Sequence, residues 1–99
     1  MNKLLTLLSI LIIEPALGAA SSSFTCSMQN GTATVYACND GNSAEGNNHY
    51  IRVRACDGGD CDTDYDLMYV YALPGRCKDI GSIDFDSSMD TCSAGYRNP

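Results

Sequence analysis

Across residues 50–56 the chain alternates, with Ile51, Val53 and Ala55 set against Tyr50, Arg52 and Arg54. A period of two sends successive side chains to opposite faces, so this segment predicts a half-buried β-strand. Residues 32–38 (TATVYAC) and 67–73 (LMYVYAL) are two further β-rich runs, and 24–29 and 80–85 are weaker ones. Turn-forming residues separate them: Asn30-Gly31, Asn39-Asp40-Gly41-Asn42, Gly46-Asn47-Asn48, Asp57-Gly58-Gly59-Asp60, Pro74-Gly75 and Gly81-Ser82. No stretch sustains helical spacing, although residues 87–96 have room for one short helical turn. The pattern predicts a small, mainly β domain, built as an antiparallel sheet or small sandwich. The variant is α+β, with a single short helix on the sheet.

The beginning of the chain follows a different rule. Met1-Asn2-Lys3 precedes an apolar run over residues 4–13, and Pro15, Ala16, Gly18, Ala19 and Ala20 follow. A basic start, a short apolar stretch and a small-residue exit predict a secretory signal over residues 1–20, cleaved after Gly18 or Ala20. The run is shorter than the roughly 20 residues that span a bilayer. Residues 21–99 then form one domain, with a polar lead-in and no internal repeat.

That domain holds all six cysteines: Cys26, Cys38, Cys56, Cys61, Cys77 and Cys92. An even number in a short exported chain predicts a disulfide framework. Zinc needs closely spaced cysteines or several histidines; there is no C-x-x-C, and His49 is the only histidine. Leu67 and Leu73 are the domain's only leucines, so its apolar core is thin. A core of this size supplies about 3–5 kcal/mol, and bridges at ~2–4 kcal/mol each match or exceed it. Reduction is therefore expected to unfold the protein.

Charge narrows the function. The chain carries 12 acids against 6 bases, a net charge of −6. Nucleic-acid binding and insertion into anionic membranes both call for clustered positive charge, so both are disfavoured.

The segment CDGGDCDTDYD, residues 56–66, concentrates the acids. Asp60, Asp62 and Asp64 reproduce the opening of an EF-hand loop, but Tyr65 stands where its turn needs Gly and Tyr71 where it needs a bidentate Glu. In an extended chain Asp60, Asp62, Asp64 and Asp66 share a face at about 6.8 Å spacing. Their mutual repulsion, after salt screening, is on the order of 1 kcal/mol, and the run needs no metal. A hairpin with a three-residue loop, Gly58-Gly59-Asp60, would set Asp64 against Arg54, Asp66 against Arg52, Tyr65 against Val53 and Leu67 against Ile51. Such pairing predicts a salt-laced hairpin whose acids discourage edge-to-edge aggregation, with Cys56 and Cys61 bonded to different partners. The aspartate face, together with Arg76, is the candidate binding surface.

Other residues carry weaker chemistry. Asn30-Gly31-Thr32 is an N-glycosylation sequon at a predicted turn. His49, with Glu45 and Arg52 nearby, has the residue types of a ribonuclease site, though on a Gly/Asn-rich loop where a solvated histidine is the simpler account. Pro74-Gly75-Arg76-Cys77 resembles an exposed protease-inhibitor loop, with Arg76 as the residue entering the protease pocket. Asn39-Asp40-Gly41-Asn42-Ser43-Ala44 is similar to the calcium motif of βγ-crystallin domains, which ends in Ser where this chain has Ala44. No nucleophile elbow is present, and six oxidised cysteines leave no thiolate for catalysis.

As a whole, the signal segment, the length and the even cysteine count resemble the small cysteine-rich secreted proteins of fungi, which include plant-pathogen effectors and killer-toxin-like proteins. Phe24-Thr25-Cys26 and Tyr36-Ala37-Cys38 also resemble the aromatic-x-Cys motif near the mature N-terminus of effectors from haustorium-forming fungi. The resemblance implies a non-enzymatic, cofactor-free scaffold whose surface binds a host or competitor protein. It is expected to be a monomer acting outside the producing cell or inside a host after uptake. A secreted toxin and a protease inhibitor working through Arg76 are the rival expectations.

Overall fold

In the computed structural model, which describes residues 22–97, six strands form two antiparallel sheets. Residues 1–20, where a secretory signal is expected, lie outside the described residues. The strands are β1 (Ser22–Gln29), β2 (Thr32–Asn39), β3 (Asn47–Asp57), β4 (Asp60–Val70), β5 (Cys77–Asp84) and β6 (Thr91–Tyr96). One sheet has the order β1-β2-β5 and the other β4-β3-β6. Each sheet is thus a hairpin extended by one later strand. Face to face, β1 lies over β6 and β5 over β4, which makes a small disulfide-rich sandwich with no helix among the described residues.

Two tight turns set the hairpins. Asn30 (φ 51°) and Gly31 (φ 80°) close β1 onto β2 in the type I′ geometry that Asn-Gly favours. Gly58 (φ 60°) and Gly59 close β3 onto β4, with positive φ only at the first position, as in type II′. Gly81-Ser82, a turn by composition, instead lies within β5, beside a bulge opposite Val35 and Tyr36.

The inner faces alternate as the pattern predicts. Ala33, Val35 and Ala37 of β2 meet Ile51 and Val53 of β3, with Met68, Val70 and Ile83 completing the cluster. Four of the eleven buried apolar residues are alanines, and the largest wholly buried side chains are Ile51, Val35 and Val53. The core is as thin as composition implies, and sulfur supplements it. Cys26–Cys92 ties β1 to β6 across the two sheets, whereas Cys38–Cys77 and Cys56–Cys61 each tie neighbouring strands within one sheet.

The chain end differs from expectation. The segment with room for a helical turn forms β6 instead, because its backbone pairs with β3 and Cys92 anchors it to β1. The run over 67–73 is only the end of β4, which begins at Asp60 and stops at Val70.

Candidate functional site

The β3–β4 register decides where the charges go. Cys56 stands opposite Cys61, Val53 opposite Asp64, Arg52 opposite Tyr65 and Tyr50 opposite Leu67. This is a two-residue loop, one residue shorter than cross-strand charge pairing predicts. The expected Asp64–Arg54 and Asp66–Arg52 pairs do not form, and Cys56 bonds to Cys61 rather than to a different partner. Because directly opposite residues share a face, the shorter loop sorts the hairpin by charge. Asp57, Asp60, Asp62, Asp64 and Asp66 fall on the side of Ile51 and Val53, while Arg52 and Arg54 fall on the other.

The aspartates occupy core-side positions and yet are exposed. Cover from the opposite sheet reaches Met68, which packs against Gly81 of β5, and Met68 and Val70 are buried. β5 has 8 residues and β4 has 11, so the first half of β4 projects past its cover. There two of the aspartates, Asp64 and Asp66, attend to the free edge. Cys56–Cys61, with Cα atoms 4.1 Å apart, fits a non-hydrogen-bonded pair, so the N–H groups of Tyr65 and Leu67 point away from β3. Asp64 Oδ1 accepts the Tyr65 N–H at 2.8 Å, and Asp66 Oδ1 accepts the Leu67 N–H at 2.9 Å. Each carboxylate thereby caps an edge donor that another strand would otherwise take, a recognised way of blocking strand addition. Asp64 and Asp66 thus blunt the free edge of β4. Among the described residues no group of three or more His, Cys, Asp or Glu side chains is placed to hold a metal ion.

The opposite face of this sheet is built differently. Tyr50, Arg52 and Arg54 of β3 lie beside Tyr65, Leu67 and Tyr69 of β4. Arg97 follows β6, its N–H bonded to the Tyr50 carbonyl at 3.0 Å. Its guanidinium carbon sits 5.3 Å from the Tyr50 ring centroid and 5.7 Å from that of Tyr65, within cation–π range of both. Tyr50 is 52% exposed, Tyr65 47%, Leu67 51% and Tyr69 53%, so about half of each large side chain meets water. Thr91, Ser93 and Gly95 complete the β6 side. The face therefore carries three arginines and, among the described residues, no carboxylate. The outer face of the other sheet differs: Thr25, Ser27, Thr32, Thr34, Ser82 and Asp84 surround a single half-buried tyrosine, Tyr36.

The remaining candidates are placed as follows. Asn30 is exposed at its turn. Arg76 closes a type II turn at Pro74-Gly75, its N–H bonded to Leu73 O at 3.0 Å and its carbonyl to the Asn39 N–H at 2.9 Å. A backbone engaged on both sides is not the extended strand that a protease pairs with. His49 and Arg52 project to opposite faces of β3, and the His49 ring packs edge-on against Tyr96 at 4.9 Å, so no ribonuclease trio is assembled. Asn39, the first residue of the crystallin-like motif, is buried and spends its side chain on the fold. Its amide donates to Ser43 O and Ala72 O and its oxygen accepts the Gly41 N–H, all at 2.8 Å.

The residue that composition and spacing passed over is Arg97. It belongs to no periodic run, and only the pairing of β6 with β3 brings it to Tyr50. No protein-family model, no curated protein and no solved structure matches this chain.

Proposed function

We propose that this chain is a secreted, disulfide-locked binding protein of the effector type, without enzymatic activity. It engages a host or competitor protein through the outer face of the β4-β3-β6 sheet. The observation that carries the proposal is the half-exposed platform of Tyr50, Tyr65, Leu67 and Tyr69 interleaved with Arg52, Arg54 and Arg97. Tyrosine and arginine are the residue types that concentrate binding energy at protein interfaces, because they combine large area with directed polar groups. The domain can hold such a face open to water because three bridges, rather than a large core, maintain its shape.

The test places a photo-crosslinking phenylalanine analogue at Tyr65 on this sheet, or at Ser27 on the other, in the oxidised protein. Each form is incubated with extracellular fluid from target tissue. Discrete adducts from position 65 and none from position 27 are expected. Equal labelling from both positions would refute the placement of the site. Growth arrest of a bystander fungus or bacterium would favour a toxin instead.

A further inference from the structure

We infer that the occupant of this face is an acidic segment of a partner protein, carrying an apolar anchor at one end. The inference rests on the binding role proposed above and specifies its ligand. Arg52 and Arg54 lie two residues apart on one strand, a spacing of about 6.8 Å. An extended peptide with carboxylates at alternate positions repeats that spacing, so each guanidinium meets one carboxylate. Among the described residues neither arginine has an ion-pair or hydrogen-bond partner of its own. The apolar side chains are not spread evenly. Tyr50, Leu67 and Tyr69 lie toward the Asn47/Val70 end of the hairpin, and Arg54 toward the Gly58-Gly59 turn. Arg97 crosses Tyr50 and Tyr65, so the apolar group is read by Leu67 and Tyr69 on the β4 side and the carboxylates by Arg52 and Arg54 toward the turn.

Charge and geometry select a protein segment over other anions. The whole chain is at −6, so a long polyanion such as nucleic acid or a sulfated polysaccharide meets net repulsion beyond the patch. A short acidic segment stays within about one Debye length, roughly 8 Å, where the three arginines dominate. Arg97 also lies across the Tyr50 and Tyr65 rings, taking up π-faces on which bases or sugars would stack. Strand addition at β4 is opposed by the Asp64 and Asp66 caps, so the segment docks on the face and not along the edge.

The experiment uses isotope-labelled, oxidised protein and four probes. These are a synthetic peptide with a Leu-Tyr anchor followed by alternating glutamates, its lysine counterpart, a heparin oligosaccharide and a single-stranded oligothymidylate. The acidic peptide is expected to bind with an affinity that falls as salt rises, and to shift amide signals in β3, β4 and β6 but not β1. Arg52→Glu/Arg54→Glu is expected to weaken that peptide by about tenfold and to gain affinity for the lysine peptide, with its amide spectrum otherwise intact. No binding of the acidic peptide at millimolar concentration, tighter binding of heparin or oligothymidylate, or self-association of the protein alone under these conditions would each overturn the inference. Crosslinks from position 65 without acidic-peptide binding would retain the binding role and remove only this ligand.

Discussion

The three bridges close nested loops: Cys56–Cys61 lies inside Cys38–Cys77, which lies inside Cys26–Cys92, with sequence separations of 5, 39 and 66. Nesting shortens the loop that each outer bridge closes in the unfolded chain. With the inner bridges intact, that loop is about 28 residues for Cys26–Cys92 and about 35 for Cys38–Cys77. Loop-closure entropy then gives about 3.6 kcal/mol for loss of Cys26–Cys92, about 3.1 kcal/mol for loss of Cys38–Cys77, which leaves Cys26–Cys92 closing a loop of about 62 residues, and about 2 kcal/mol for Cys56–Cys61. Paired cysteine-to-alanine variants, unfolded with urea at 25 °C, are expected to follow that order. C56A/C61A should lose about half as much as C26A/C92A, with C38A/C77A between them. Removing all three takes away about 9 kcal/mol, comparable to the whole stability of a typical domain. The fully reduced protein should therefore lose its β circular-dichroism signal. Equal losses for all three pairs, or an unchanged melting curve after reduction, would refute the claim that chain entropy sets these contributions.

Asn39→Ala strands the buried Ala72 carbonyl and the half-buried Gly41 N–H, so a loss of about 2 kcal/mol in urea unfolding is expected. Inserting one glycine between Gly58 and Gly59 shifts β4 by one residue and moves Cys61 out of register with Cys56. Peptide mapping of the oxidised product should then show Cys56–Cys61 lost from most molecules. Asp64→Thr/Asp66→Thr uncaps two edge donors, and light scattering should report concentration-dependent aggregation that Asp40→Thr, in the exposed loop after β2, does not produce.

Much of the fold is legible in the residues, for identifiable reasons. Alternation over 50–56 marks β3 because its inner side meets the other sheet along most of its length, keeping Ile51, Val53 and Ala55 fully buried. Asn30-Gly31 marks a hairpin because those two residues tolerate positive φ at little cost. The register was not legible. Cross-strand pairing rules weigh charge against charge within one hairpin, and by that measure Asp64 belongs beside Arg54. The actual register also satisfies a bridge at Cys56–Cys61 and brings Met68 and Val70 under β5, terms that involve the rest of the chain. β6 was hidden for a related reason. Ser93, Ala94 and Gly95 have little intrinsic strand preference, and pairing with β3 overrides it. The candidate site was half visible: Arg52 and Arg54 stand out in the alternating run, but the caps that Asp64 and Asp66 place on the N–H groups of Tyr65 and Leu67 follow from a register that the residues alone do not reveal.

One residue of loop length therefore separates two molecules with the same composition. With a three-residue loop, carboxylates of β4 would lie directly opposite the arginines of β3, and the hairpin would neutralise itself. With Gly58-Gly59 alone, the arginines share a face with Tyr50, Tyr65 and Leu67, and the aspartates go to the other side and the edge. Two guanidinium groups about 6.8 Å apart repel by only about 0.6 kcal/mol in water, less after salt screening, so leaving them unpaired costs the free protein little. Unpaired arginines held on a sheet keep their full hydrogen-bonding fork for a second molecule, with much of their backbone ordering already fixed by the fold. The shorter loop thus exchanges internal ion pairs of small value for an open cationic face, and the disulfide beside that loop, Cys56–Cys61, prevents the strands from slipping back into the self-neutralising register.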